Sequence, residues 1–134
     1  MRDNIPYDLA VRYAQHVDNR EFERFREIML PSFTQEGPGF ASGSLEEFIV
    51  NLGLLENYSA TFHLVGQQIG NWEGDQYVGE TWGVASHIYE RDDEVRKLDM
   101  GIRYSDMIDL IDGSGWFTSR NLNVVWTQDL PTGT

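Results

Sequence analysis

Histidine is the side chain whose ordinary pKa lies closest to neutral pH, so its positions are the first to examine for proton transfer. His63 occurs in the stretch from Tyr58 to Trp72, whose β-branched and aromatic residues are otherwise typical of a strand. His87 occurs in the next stretch of the same character. Acid–base chemistry in this chain is therefore expected to involve His63, although a histidine in a strand is more often a structural residue than a catalyst.

The turn near residues 73–75 decides whether the two imidazole rings face the same way. A three-residue loop pairs His63 with Ala85 and His87 with Thr61, which makes the rings diagonal neighbours on one face of the sheet. A two-residue loop would place them on opposite faces. We expect the three-residue loop.

Arg120 is a cation in an apolar setting. Strict strand alternation places Arg120 on one face with Trp116 and Trp126, whereas Phe117 and Val125 lie on the other. A buried guanidinium is costly unless it pairs with an acid or lines a polar cavity. Arg120 is therefore expected to line a pocket, to form a structural salt bridge, or to extend its charge out from the rim.

The first part of the chain has helical spacing. Leu9, Tyr13 and Val17 recur every four residues and predict an amphipathic helix over 5–17. A second helix is predicted over 21–29, ended by Pro31. Glycines and a proline predict a loop over 37–43, and Ser44 with Glu47 predicts a capped third helix that extends to about residue 56.

The second part of the chain has the character of strands. Four are predicted, over 60–72, 76–90, 95–110 and 114–127, and short turn-forming links between them favour an antiparallel meander. Helices followed by strands indicate an α+β fold with the helices on one face of a curved sheet. The length of 134 residues fits a single domain over 1–134.

The charge balance disfavours several classes of partner. Ten Lys and Arg against 22 Asp and Glu give a net charge of −12, which repels nucleic acid and anionic membranes. The sequence has no cysteine, so thiolate chemistry and disulfides are excluded. The first residues lack the apolar core of a signal peptide and no run is long enough to span a membrane, so we expect a cytoplasmic protein.

Five segments of the sequence carry a resemblance to a known family, in the same order and with similar spacing. They cover residues 12–22, 61–67, 79–87, 101–106 and 116–120. The chain resembles the SnoaL-like branch of the NTF2-like superfamily, and within it the group that includes scytalone dehydratase, bile acid dehydratase and hexachlorocyclohexane dehydrochlorinase. The resemblance implies a cone in which three N-terminal helices pack on a curved antiparallel sheet and enclose a pocket.

The resemblance also assigns catalytic roles. It places Asp18 and His63 as an Asp–His dyad, in which Asp18 orients the ring and His63 removes a proton. Asp18 could instead cap the helix that begins near Glu21. The resemblance makes Tyr13 a pocket residue, although Tyr13 could also be a plain core aromatic.

The remaining site residues follow from the same resemblance and from strand alternation. His87 is implied as the acid for a departing hydroxyl group, and Arg120 lies near the family's C-terminal pocket arginine. The expected pocket walls are Tyr104, Met100, Trp116, Phe22 and Val65. His16 is expected to be exposed, and a metal site of Asp18, His63 and His87 is a further alternative.

The function that the resemblance implies is a lyase of the dehydratase or dehydrohalogenase type. It would work without a cofactor or metal on a small hydrophobic cyclic ligand. A ketosteroid-isomerase-like isomerase and a non-catalytic binding or assembly protein are the alternatives. The second face of the sheet looks too apolar for a monomer and predicts a homodimer or homotrimer, through Val78, Trp82, Val84, Ile88, Phe117 and Val125.

Overall fold

The computed structural model describes residues 2–133. The helix predicted from the spacing of Leu9, Tyr13 and Val17 forms as α1, Ile5–Asp18, with these three side chains buried. The second α-helix, α2, spans Leu45–Asn51, and shorter 3₁₀ segments span Arg2–Asn4, Phe22–Glu27 and Leu52–Asn57. The strands are β1 Met29–Gly37, β2 Phe40–Ser42, β3 Ala60–Glu73, β4 Gln76–Arg91, β5 Glu94–Ile111 and β6 Ser114–Pro131.

The six strands form one sheet in the order β2-β1-β6-β5-β4-β3. All neighbours are antiparallel except β1 and β6, which run parallel. Helix α1 packs against β3 and β6, and α2 packs against β1, so apolar side chains of the helices and of one sheet face form the core. The predicted α+β class and the four long strands are confirmed.

The predicted helix over 21–29 is wrong. Only the 3₁₀ segment Phe22–Glu27 forms there, and the chain then enters β1 at Met29. Pro31 lies inside the strand, between the two β1–β6 pairs Met29–Phe117 and Thr34–Ser119 where the register is irregular. A missing N–H is tolerated at such a place, so Pro31 does not interrupt the sheet.

The predicted loop over 37–43 is only partly right. Gly37 ends β1 and pairs with Phe40 of β2 across a tight turn, in which Gly39 has a φ of 79°. The third helix begins as predicted, because the Ser44 hydroxyl accepts the backbone N–H of Glu47 at 3.1 Å. It becomes a 3₁₀ segment at Leu52 rather than continuing as an α-helix.

A β-bulge sets the position of the two histidines. The β3–β4 turn has two residues, since Glu73 pairs with Gln76, so the expected three-residue loop is wrong. The register then shifts by one between Val65 and Gln68, and His63 pairs with Ala85 as expected. A Cβ at Gly66 would lie 3.0 Å from the backbone oxygen of Trp82, so the glycine permits this close approach.

Two further irregularities redirect the side chains of β6. The β5–β6 register shifts between Met107 and Ile108 and between Gly101 and Ile102. Phe117 and Arg120 are consequently both buried in the core, whereas strict alternation predicts that they lie on opposite faces. Trp126 packs over Gly101 on the outer face of the sheet, away from the face predicted for it.

The outer face of the sheet is apolar. Phe62, Leu64 and Val125 are each more than 60% exposed there, at 64%, 61% and 61%. Phe117 is not part of this face, but Trp82 and Val84 are, together with Trp126. Assembly of a homo-oligomer through this surface stays a prediction. Within residues 2–133, no helix is both long and apolar enough to cross a membrane.

His16 is buried rather than exposed. The backbone N–H of Glu21 bonds to the His16 carbonyl at 2.8 Å, so the chain folds back and covers the last turn of α1. The ring lies edge-on to Phe25, at 5.5 Å between centroids, and neither ring nitrogen has a hydrogen-bond partner among residues 2–133. Burial lowers the pKa of His16, and the nearby Arg24 adds to the effect.

Replacing His16 with leucine is expected to remove part of the pH dependence of stability. The lowered pKa means that the contribution of neutral His16 is complete above the unfolded pKa of about 6.5, and is lost as the pH falls through the lower folded value. The variant should be at least as stable as the parent near neutral pH, because an unpaired buried polar group costs about 1–3 kcal/mol. Urea unfolding at about pH 7.5 and about pH 5.5 measures both effects. If parent and variant lost the same unfolding free energy between these two pH values, the lowered pKa of buried His16 would be contradicted.

Candidate functional site

A cavity of about 180 Å³ lies between α1, the segment 45–57 and the concave face of the sheet. Its walls are mainly apolar, and Leu54, which is 65% exposed, lies at its mouth. The polar residues that line it are Tyr13, Gln35, Ser42, Asn51, His63, His87 and Tyr104.

Asp18 and His63 form a close pair at this cavity. Asp18 is the last residue of α1, and β3 passes beside that helix end. One carboxylate oxygen, Oδ1, lies 2.7 Å from Nδ1 of His63 and accepts the Thr61 hydroxyl at 3.0 Å. The other, Oδ2, accepts the backbone N–H of His63 at 2.7 Å. The carboxylate therefore accepts its hydrogen bonds from residues of β3, and it does not cap the 3₁₀ segment that begins at Phe22.

The charge state of Asp18 fixes the tautomer of His63. Burial alone would raise the pKa of Asp18, but hydrogen bonds from the ring and backbone of His63 and from Thr61 outweigh it and hold the pKa below its ordinary value. An ionised carboxylate only accepts hydrogen bonds, so Nδ1 of His63 carries the hydrogen. Nε2 is then the ring nitrogen that is available to accept a proton from a molecule in the cavity.

His87 lines the same cavity, with its ring centroid 6.3 Å from that of His63. Its Nδ1 donates to the backbone carbonyl of Leu98 at 3.1 Å. Burial lowers the pKa of His87, so the neutral ring is favoured, with an unprotonated Nε2. Neutral His87 is thus a hydrogen-bond acceptor, whereas the acid role expected from the sequence requires the disfavoured protonated ring.

Tyr13 and Tyr104 line the cavity beside the dyad, with ring centroids 5.5 Å apart. Gln35 donates its side-chain N–H to the Tyr13 oxygen at 3.2 Å, and the Tyr104 hydroxyl is a second hydrogen-bond partner of Tyr13. Burial raises the pKa of both tyrosines, so both remain protonated donors at neutral pH. Tyr13 also packs on Phe25, so it is at once a core aromatic and a cavity residue.

Arg120 lies behind the cavity wall rather than in the cavity. Its Nε bonds to Oδ1 of Asp106 at 2.8 Å, and both side chains are 1% exposed. The guanidinium lies 3.8 Å from the ring centroid of Tyr104 and 4.4 Å from that of Tyr13. Burial would lower the pKa of Arg120, but the charge and hydrogen bond of Asp106, together with Tyr104 and Tyr13, outweigh it and raise the pKa. Of the three alternatives from the sequence, the structural salt bridge is the one that forms.

The network behind the tyrosines continues away from Arg120. Oδ2 of Asp106 accepts the Thr81 hydroxyl at 2.8 Å, and the Thr81 oxygen accepts the side-chain N–H of Gln68 at 2.9 Å. Asp106 is not among the residues predicted from the sequence, although Asp106 and Arg120 are direct partners in the β5–β6 register.

The predicted pocket walls are partly right. Met100 and Tyr104 line the cavity. Val65 instead lines a separate hollow of about 10 Å³ that also touches His63 and Arg120. Phe22 packs against the core, and Trp116 lies beside β1 at a surface hollow. The irregular β6 register accounts for the misplacement of Trp116.

Several cavity residues were not predicted, and they come mostly from β1, β2 and the segment after α2. Those with polar side chains are Gln35, Ser42 and Asn51. In the described part of the chain, no three His, Cys, Asp or Glu side chains are placed to hold a metal ion, so the two-histidine-one-carboxylate alternative does not form.

Comparisons with known proteins locate the fold. No family model matches the sequence, and no curated protein matches it. A candidate scytalone dehydratase from Novosphingobium aromaticivorans superposes with a TM-score of 0.85 at 17% identity, over 95% of this chain and 86% of that one. A type-2 hexachlorocyclohexane dehydrochlorinase superposes with a TM-score of 0.84 at 16% identity, over 99% of this chain and 90% of that one.

A third solved structure is the β subunit of a candidate aromatic-ring-hydroxylating dioxygenase, also from Novosphingobium aromaticivorans. It gives a TM-score of 0.72 at 20% identity, over 90% of this chain and 87% of that one. At these identities the fold is the shared property. The resemblance seen in the sequence is thus confirmed at the level of the fold, which is an NTF2-like α+β cone.

Proposed function

We propose that the protein is a cofactor-independent lyase that removes a proton from a small, uncharged cyclic substrate. The observation that carries the proposal is the 2.7 Å contact between Asp18 and Nδ1 of His63 at the wall of an apolar cavity. Two solved structures of the same fold that bear dehydratase and dehydrochlorinase names support this reaction class.

His63 is the proposed general base. Its Nε2 accepts the substrate proton, and the imidazolium that forms is stabilised by the ionised Asp18, to which Nδ1 already donates. The backbone and Thr61 bonds to the same carboxylate hold it in place, so little reorganisation is needed during proton transfer.

Tyr13 is the proposed donor to the departing group. Its hydroxyl remains protonated because burial raises its pKa, and Gln35 occupies its oxygen as a donor. The phenol can therefore hydrogen-bond a leaving hydroxide or halide as negative charge develops on it. Neutral His87 instead accepts a hydrogen bond and helps to orient the substrate.

The cavity limits the size of the substrate. An apolar cavity of about 150 Å³ holds a benzene molecule. A volume of about 180 Å³, open at Leu54, suits one substituted ring or a small fused pair.

The proposal can be tested with 5-nitrobenzisoxazole, which loses its ring C–H proton to a base as the N–O bond breaks. The product is a coloured cyanonitrophenolate, so the rate is measured by absorbance without a cofactor. We expect saturable turnover at least about 100-fold faster than with equimolar free imidazole, because the base is positioned in a dry pocket. A rate no greater than that of free imidazole would contradict the lyase proposal, and would favour a ligand-binding protein. Chloride release from hexachlorocyclohexane separately tests the dehydrohalogenase branch.

A further inference from the structure

The cavity has a second polar group of side chains, away from the dyad. Gln35 of β1 is 5% exposed and Ser42 of β2 is 3% exposed, and both line the cavity. Asn51, at the end of α2, completes the group. We call these three residues the distal polar subsite.

The order of the strands separates this subsite from the catalytic pair. β2 forms one edge of the sheet and β3, which carries His63, forms the other. The subsite therefore lies on the β2 side of the cavity and the dyad on the β3 side, and Gln35 reaches from the subsite to Tyr13 at 3.2 Å. The wall between them is apolar and includes Ile102 and Leu122.

The hydrogen bonds within the subsite define what it can still bind. Asn51 donates its side-chain N–H groups to the Ser42 oxygen at 2.8 Å and to the Ala41 carbonyl at 3.2 Å. A carbonyl only accepts, so this second bond fixes the orientation of the Asn51 amide. The Asn51 oxygen is left as an acceptor. The Ser42 hydroxyl, whose oxygen already accepts, is left as a donor.

Gln35, which pairs with Ser42 across β1 and β2, also has a side-chain oxygen left as an acceptor. One of its two side-chain N–H groups donates to Tyr13, which leaves the second N–H as a donor. Buried polar groups nearly always have hydrogen-bond partners. Because Gln35 is the direct partner of Ser42 and Asn51 bonds to Ser42, donors and acceptors lie side by side. They match a hydroxyl group, which can accept one hydrogen bond and donate another. A halogen substituent can use neither acceptor.

We propose that Gln35, Ser42 and Asn51 bind a hydroxyl group on the end of the substrate ring remote from the reacting C–H. The substrate class is then a cyclic alcohol or phenol rather than a purely halogenated hydrocarbon. The assignment of the reacting end rests on the proposed function, whereas binding of the hydroxyl group does not.

The test compares two ring compounds of similar shape, 4-methylphenol and 4-fluorotoluene, by NMR titration of the whole protein. We expect the phenol to bind about 3- to 10-fold more tightly, the range given by about one net hydrogen bond. Ser42→Ala and Asn51→Leu should each bring the ratio of the two dissociation constants close to one. Leu54→Ala, a cavity residue without a polar group, should weaken both ligands and leave the ratio unchanged.

His63→Ala identifies which end of the cavity holds the hydroxyl group. The preference for the phenol should survive this change, and its loss in His63→Ala but not in Ser42→Ala would overturn the proposal. A parent ratio close to one would overturn it as well. If Asn51→Leu does not fold, as judged by circular dichroism, Ser42→Ala decides, because it removes a single oxygen. Retained preference without turnover of 5-nitrobenzisoxazole would reject the lyase and keep the subsite.

Discussion

Replacement of His63 by alanine is expected to lower kcat/KM for 5-nitrobenzisoxazole by at least about 100-fold, since a positioned general base contributes about 10²–10⁴-fold. The fold should remain, because the ring lies at a cavity wall and its removal leaves Asp18 with the bonds from Thr61 and the backbone of residue 63. The loss of kcat/KM is measured by following product absorbance, and circular dichroism checks that the variant is folded.

Asp18→Asn should produce a loss of similar size for a different reason. An asparagine amide can donate to Nδ1 of His63, which favours the tautomer with hydrogen on Nε2 and removes the proton-accepting lone pair. Asp8→Asn is the matched control, because Asp8 is on the same helix but exposed and pairs with Arg12 on the surface. Its activity should stay within about threefold of the parent, as expected for a surface residue away from the site.

The pH dependence of stability provides a second measurement on Asp18→Asn. The pKa of Asp18 is held below its ordinary value of 3.8, so its carboxylate stabilises the fold above that value, and the contribution is lost as the pH falls through the folded pKa. The parent should therefore exceed Asp18→Asn in unfolding free energy at neutral pH, with the difference shrinking in acid. Parental activity in Asp18→Asn, or equal losses in Asp8→Asn, would remove the dyad from the mechanism.

The long elements were predictable from the sequence because their patterns repeat. Helix α1 shows apolar residues every four positions, and β3 to β6 are long β-branched and aromatic stretches joined by short turns. The resemblance pairs Asp18 with His63, and the two side chains lie 2.7 Å apart, while their catalytic roles stay a prediction. A helix and a strand remote in sequence meet there, so spacing alone gives no such contact.

Short and irregular strands were not predictable for physical reasons. β2 has three residues, and β1 contains Pro31, so neither shows a sustained alternation. Three residues of the distal polar subsite lie on or near these strands and were missed with them. An alternating sequence pattern does not show where a β-bulge occurs. One extra residue in a strand moves all later side chains of that strand to the opposite face of the sheet. The misplacement of Phe117 and Trp126 follows from this.

The buried pair Arg120–Asp106 is expected to have the largest effect on stability. Arg120→Met or Asp106→Leu alone leaves one uncompensated charge in the core, which costs about 3–5 kcal/mol of unfolding free energy. That is a large part of the total of about 5–15 kcal/mol that holds a typical domain folded. Arg12→Met is the matched control: Arg12 pairs with Asp8 on the surface, where both side chains are about half exposed, and a loss under about 1 kcal/mol is expected. Urea unfolding measures all three variants.

The double variant Arg120→Met/Asp106→Leu separates the structural role of Arg120 from a catalytic one. With both charges removed and similar volume kept, most of the stability lost in the single variants should return, because apolar packing can replace a buried ion pair. Thr81 loses its acceptor, so recovery need not be complete. Arg120 reaches the surroundings of the dyad through the rings of Tyr13 and Tyr104 and through the small hollow that also touches His63. The refolded double variant should therefore keep at least about a tenth of the parental kcat/KM, whereas an arginine acting on the leaving group would take most of the activity with it. A double variant that is stable but inactive would show that Arg120 has a catalytic role.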